Sequence, residues 1–241
     1  MTMPRIFCLH TADVHVATFT RLYAELARDA VVTHVVRADW LAEARRTGLT
    51  DTLRTNISAL LQDAASANDA VLCTCSTLGP IAEVLHAATP HIIRIDTPLM
   101  QAAAAHDGTT LVAFCLESTR APTLELLTAT YARLGKPPRF KAVLCADAWP
   151  FFERGDIDGF VGSIVTTVRT AAAAVDDLGC IVLAQASMAT ALPHLAELSR
   201  PVYSSPRLAV EATLRAAVST SGVSRGRHRS RDRAIPVRRN V

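Results

Sequence analysis

The residues with most chemistry in them are Cys75-Ser76-Thr77-Leu78-Gly79. They follow the apolar run Ala70-Val71-Leu72-Cys73 and precede a segment of helical period, so a thiol stands where a buried strand gives way to a helix. Free N–H groups and the dipole at a helix N-terminus stabilise anions, which lowers a thiol pKa and favours a thiolate near neutral pH. A thiolate so placed serves as a base or a nucleophile; the competing reading is a small buried hydrophobe. Cys73, on the same strand face by period, is read as core. Other chemistries lack their patterns. There is no Gly-x-Gly-x-x-Gly or Walker sequence to cradle phosphate, no Gly-x-Ser-x-Gly elbow and no His-x-x-x-His pair. Cys73-x-Cys75 without a second ligand cluster is a poor zinc signal.

Short β-branched or apolar runs alternate with longer helical segments, the pattern of parallel sheets with crossover helices. Strands are expected at 5–9, 31–36, 70–73, 91–95, 110–115, 141–144, 180–184 and near Val202, and helices at 16–28, 51–67, 78–87, 123–134, 157–175 and 207–217. Asp51, Ser118 and Asp156 are read as helix caps, and Gly135-Lys136-Pro137-Pro138 as a stop.

Half of the 241 residues are hydrophobic, enough for a substantial core. No run of about twenty apolar residues and no signal-like start is present, so a cytoplasmic, membrane-free protein is expected. The six cysteines lie in or at the ends of strand-like runs, as reduced thiols do. The stretch 225–241 carries seven arginines against Asp232. Its +6, against +3 for the whole chain, leaves the body near −3. Residues 221–241 are expected to form a basic, disordered tail. Clustered arginine can neutralise phosphates, but without aromatic residues to stack on bases a solvated tail is the preferred reading over nucleic-acid binding.

The two halves parse alike. Ala70 to Thr77 ends a strand, a helix follows, Thr89-Pro90 leads to another strand, and Thr97-Pro98-Leu99 comes next; Ile181 to Met188, Arg200-Pro201 and Ser205-Pro206-Arg207 repeat the order. The expected fold is therefore α/β, with two pseudo-symmetric open lobes, parallel sheets and a ligand cleft at their carboxyl ends. The last helix returns to the first lobe, giving 1–97 plus 205–220 as one lobe and 98–204 as the other, with hinges at 96–98 and 204–206.

Cys75-Ser76-Thr77, Arg94 to Met100, Gly155-Asp156, Leu183 to Ala189 and Ser204 to Leu208 together resemble the aspartate/glutamate/hydantoin racemase superfamily, from about residue 5 to 217. The resemblance implies catalysis without cofactor or metal. Two cysteines, one per lobe, flank the α-carbon of a carboxylate; one removes its proton and the other returns a proton to the opposite face. It also implies dimers, so a homodimer is an expectation of the resemblance alone.

Carried over by position, Cys75 matches the first-lobe cysteine, and Ser76 and Thr77 its carboxylate-binding neighbours. The second-lobe cysteine is absent; Gln185 takes its place, followed by Ala186 and Ser187. An amide has no ionisation near neutral pH and cannot move an α-proton as a thiol does, but its NH₂ can bind a carboxylate. Where family members have hydroxyls after the first strand of each lobe, this chain has His10-Thr11 and Cys115, with Ser118 and Thr119 beyond. Thr11, Ser118 and Thr119 suit carboxylate binding, while His10 or Cys115 is the expected second proton-transfer group. The preferred expectation is a racemase or isomerase acting through the Cys75 thiolate on a small carboxylate, an amino acid or related acid. The alternatives are a one-thiol decarboxylase and a non-catalytic carboxylate-binding protein.

Overall fold

In a computed structural model, which describes residues 3–229, the chain forms two four-stranded parallel sheets. The first contains β1 (Arg5–His10), β2 (Val31–Val36), β3 (Ala70–Cys73) and β4 (Ile92–Arg94), in the order β2-β1-β3-β4. The second contains β5 (Thr109–Phe114), β6 (Phe140–Leu144), β7 (Leu178–Leu183) and β8 (Val202–Ser204), in the order β6-β5-β7-β8. The orders are equivalent, and all the expected strands are present. In each sheet the strand order reverses beside the first strand, so β1 and β3 on one side, and β5 and β7 on the other, open crevices at their carboxyl ends.

Helices cover both faces of each sheet. They are α1 (Val14–Leu26), α2 (Ala38–Thr47), α3 (Asp51–Ala67), α4 (Gly79–His86), α5 (Asp96–Ala104), α6 (Glu117–Arg133), α7 (Trp149–Glu153), α8 (Ile157–Ala173) and α9 (Ser205–Arg229), with a 3₁₀ stretch at Ala186–Leu195. On one face of the first sheet Phe7, Leu9 and Val71 pack against Leu53, Ile57 and Leu61 of α3. The strand period of two sends Ile6 and Cys8 to the other face, against Phe19 and Tyr23 of α1 and Ala209 and Val210 of α9. The second sheet packs Ala113, Cys115 and Leu183 on Phe160, Ile164 and Val168 of α8. On its other face Val112, Phe114 and Val182 meet Leu99, Met100 and Ala103 of α5. The two connecting helices thus cross over: α5 leaves the first sheet to pack on the second, and α9 leaves the second to pack on the first.

Local signals were partly misread. Thr50, not Asp51, caps α3, its side chain accepting from the Leu53 N–H at 3.2 Å. Asp156 caps α8 as expected, through the Gly159 N–H at 2.9 Å. Ser118 lies inside α6, which starts at Glu117 and carries Pro122 within its length. Helices α2 and α5 were not foreseen. Helix α9 runs on to Arg229, past residue 221 where the tail was expected to begin; residues 230–241 lie outside the described part. Among the described residues no helix is long and apolar enough to cross a membrane.

The lobes are joined by a buried polar cluster. Arg94 at the end of β4 and Asp96 at the start of α5 pair at 3.3 Å, with 4% and 0% of their side chains exposed. Arg94 also donates to the Pro122 carbonyl of α6 at 2.7 Å. The Ser76 hydroxyl lies 2.8 Å from Asp96 Oδ1 and 3.1 Å from the Ala184 carbonyl beyond β7. Gly79 leaves room for this arrangement, since a Cβ there would stand 2.6 Å from Arg94 Nε. Replacing Asp96 by Ala would strand a buried guanidinium. The expected loss is about 3–5 kcal/mol of unfolding free energy in urea titration; a loss below about 1 kcal/mol would show that the cluster does not hold the lobes.

Candidate functional site

The carboxyl ends of the strands meet in a small cleft between the lobes. Thr11, Ala12 and His15 follow β1, Leu41 follows β2, and Thr74, Cys75, Ser76 and Thr77 follow β3. From the second lobe come Leu116 and Thr119 after β5, Trp149 after β6, and Gln185, Ala186 and Ser187 after β7. Parallel strands bring this about, because every strand delivers its following loop to the same edge of its sheet.

Cys75 sits in the wall of the cleft with 7% of its surface exposed. Burial pushes its thiol above the ordinary value; the Thr11 side chain and the Leu78 and Thr77 N–H groups pull the other way, and Asp96 adds to the rise. The helix N-terminus is present as the sequence suggested, but desolvation outweighs it. Cys75 is therefore a protonated thiol at neutral pH, with anion-stabilising donors around its sulfur.

The second wall is built differently. Gln185 Oε1 accepts from the Cys115 N–H at 2.5 Å and from the Leu116 N–H at 3.0 Å. Two donors on one amide oxygen fix the orientation of the group and leave the NH₂ as its remaining donor. Thr77 Oγ1 and Ser118 Oγ face each other across the lobes at 3.4 Å. The Ser76 hydroxyl, read as a carboxylate ligand, is engaged with Asp96 and Ala184.

Of the sequence-derived site residues, Thr11, Cys75, Ser76, Thr77, Thr119, Gln185, Ala186 and Ser187 line the cleft. Ser118 stands behind it, touching Thr77. His10 and Cys115 do not line it. His10 is fully buried, held by Thr74 Oγ1 at 2.9 Å and His34 Nδ1 at 2.8 Å. The Cys115 thiol packs into the core beneath α8 and hydrogen-bonds Cys145, which with burial raises its pKa far above the ordinary value. Both face away because their strand positions alternate them into the layers under the helices.

Lining residues the sequence reading missed are Ala12, His15, Leu41, Thr74, Leu116 and Trp149. His15 is the second residue of α1, and its place just past the end of β1 was the available signal. Burial lowers its pKa to about 4, so it is a neutral imidazole at neutral pH. Among the described residues, no side chain lining the cleft carries a fixed charge.

No family model matches the sequence, and no curated protein matches it either. Solved structures do match the fold. Glutamate racemase from Thermus thermophilus, in complex with β-chloro-D-alanine, aligns with a TM-score of 0.64 at 17% identity over 92% of this chain and 82% of its own. Aspartate racemase from Picrophilus torridus gives 0.62 at 13% over 90% and 95%. A glycine-to-cysteine mutant of arylmalonate decarboxylase, in a sulfate-associated form, gives 0.55 at 17% over 89% and 94%. The chain shares the two-lobe fold of these racemases and of the decarboxylase.

Because burial dominates at Cys75, alkylation of this residue, followed against pH by mass spectrometry, is expected to show a midpoint above the roughly 8.5 of a free thiol. Thr11→Val, which removes a group that favours the thiolate, should move the midpoint higher still. A midpoint below 8 in the unliganded protein would contradict this account of the site.

Proposed function

We propose that this chain is a cofactor-independent enzyme of the racemase type in which Cys75 transfers a proton on one face of the α-carbon of a small carboxylic acid. The observation that carries this reading is the single thiol among the residues lining an interlobe cleft, with the amide of Gln185 in the second lobe. Racemisation requires a base on one face and an acid on the other. Decarboxylation requires only the acid, since cleavage of the C–C bond supplies the carbanion.

The reaction best suited to the cleft starts from an acid bearing a second carboxylate on its α-carbon. Loss of CO₂ leaves the bonding electron pair as an enolate-like carbanion. Cys75 gives its S–H proton to that carbon, and the resulting thiolate regains a proton from solvent. The balance is one proton consumed, one CO₂ released and one monocarboxylate formed. A thiol kept protonated by burial suits the role of acid better than that of base. The Thr11 hydroxyl and the Thr77 and Leu78 N–H groups then stabilise the transient thiolate. Thr119, Ser187 and the Gln185 NH₂ are the donors proposed for the carboxylate that remains. The apolar side chains of Leu41, Leu116 and Trp149 suit an apolar substituent and weaken hydration of the carboxylate to be expelled. Without an aspartate or glutamate in the lining to pair an α-ammonium, acids lacking an amino group fit better than amino acids.

A second reading is favoured by His15, which shares the cleft with Cys75 and provides a group for two-face racemisation. One experiment separates the readings. The protein is incubated in D₂O with 2-aryl-2-alkylmalonates and with the matching chiral 2-arylalkanoates, and CO₂ release and α-deuteration are followed. The expected result is CO₂ release from a malonate with one deuterium incorporated in a single enantiomer, and a fall of about 10²–10⁴-fold in Cys75→Ala. Exchange and loss of chirality in monocarboxylates without CO₂ release would favour the His15 reading. Binding without either change would leave a carboxylate-binding protein.

A further inference from the structure

Outside the cleft, under α1, the first sheet brings together three side chains with metal-binding chemistry. Cys8 and His10 are two residues apart on β1 and share a face, and His34 on β2 is the register partner of Cys8. One ligand atom from each of Cys8, His10 and His34 lies within 4.8 Å of the other two, and His10 Nε2 stands 2.8 Å from His34 Nδ1. Cys8 and His10 are fully buried, while His34 is partly exposed and opens the cluster towards solvent. The sequence conceals the arrangement, since His34 is 24 residues from His10 and no ligand spacing of a zinc motif occurs.

The hydrogen bonds around the cluster determine which nitrogens carry protons. Thr74 Oγ1 donates its one proton to the Leu9 carbonyl at 2.9 Å. It must therefore accept at 2.9 Å from His10 Nδ1–H, which leaves Nε2 of that neutral ring as a bare lone pair aimed at the cluster. His34 meets that lone pair through Nδ1 at 2.8 Å, and its other nitrogen lies 3.1 Å from Thr20 Oγ1. Each imidazole thus has a hydroxyl on its far nitrogen, the outer-shell support that orients metal-binding histidines. Tyr23 Oη lies 3.8 Å from Cys8 Sγ, so an oxygen is at hand for a fourth position.

We propose that Cys8, His10 and His34 form a binding site for a zinc-like divalent cation that fastens β1, β2 and α1 behind the first-lobe wall of the cleft. One thiolate and two imidazoles are a donor set of the kind zinc takes. The cation takes the place of the proton now between His10 Nε2 and His34 Nδ1. His34 then carries its proton on Nε2, donating to Thr20, and the Cys8 thiol releases its proton to solvent. Two nitrogens bound to one tetrahedral zinc stand about 3.4 Å apart, so the rings need to separate by only about half an ångström. The site is separate from Cys75 and does not depend on the reaction proposed for it.

The test uses the full chain, freed of metal by chelator and titrated with Co²⁺, then with Zn²⁺. Wild type should bind one equivalent of Co²⁺ with a thiolate charge-transfer band in the near ultraviolet, lose that band to Zn²⁺, and unfold at higher temperature with Zn²⁺ present. Cys75→Ser should behave the same, which separates this site from the cleft. Outer-shell changes weaken metal sites by about 10–100-fold, so Cys8→Ser and His34→Gln, each removing a ligand, should weaken Zn²⁺ binding by at least about a hundredfold. His34→Gln alters the partly exposed ligand and guards against misfolding of the buried Cys8 variant. The absence of stoichiometric Co²⁺ binding in wild type, or a thiolate band that survives in His34→Gln, would overturn the proposal.

Discussion

The architecture depends on a carboxylate shut away from the protein surface. Asp96 is fully buried, and burial raises its pKa even though the Arg94 guanidinium and the Ser76 hydroxyl pull it down. Such a group is tolerated only when its oxygens are occupied, and here the occupants come from different parts of the fold. Arg94 ends β4 and reaches α6, while Ser76 follows the candidate catalytic thiol and reaches the chain beyond β7. The first crossover between lobes therefore starts at the point where Ser76 is held. Relative movement of the lobes disturbs the loop that carries Cys75, and the precision of that loop in turn requires the lobes to stay together.

The same loop shows how two opposing effects set the state of the thiol. A helix N-terminus and a hydroxyl favour the thiolate, while exclusion of water favours the thiol, and burial wins. A base that must start as thiolate is poorly served by this balance; an acid that becomes a thiolate only after reaction is well served. The donors are then unused at rest and come into play as charge reaches the sulfur, which is the condition for stabilising a transition state more than a ground state.

The strands and the duplicated topology were legible because buried parallel strands read as short, nearly continuous apolar runs. Cys75 was legible for a related reason: a strand end beside a helix start is visible in one dimension. Helix α2 contains several charged residues and buries only Trp40 and Ala44, so its apolar period is faint. Helix α5 was hidden by Thr97-Pro98, read as part of a hinge at 96–98 although a proline in the first turn of a helix is well tolerated. His10 and Cys115 were assigned to the cleft from their places at strand ends, yet the direction of a side chain depends on which residue the sheet counts as last. One position separates His10, buried beneath α1, from Thr11, which lines the cleft. The Cys8, His10 and His34 cluster illustrates the same limit, since a parallel pairing with a helix in between joins residues that no sequence spacing relates.

The asymmetry between the halves follows from what each does with its backbone donors. After β3 the N–H groups of Thr77 and Leu78 approach the Cys75 sulfur and remain available to a developing charge. After β5 the N–H groups of Cys115 and Leu116 are already taken by the oxygen of Gln185. A cysteine at position 185 would be too short, and its sulfur too weak an acceptor, to satisfy both buried donors as the amide does. The second lobe thus gains a fixed wall with one outward NH₂ and gives up a second titrating group. Two lobes of equivalent topology thus end their strands differently: one presents a thiol with free backbone donors beside it, the other an amide whose oxygen is already engaged.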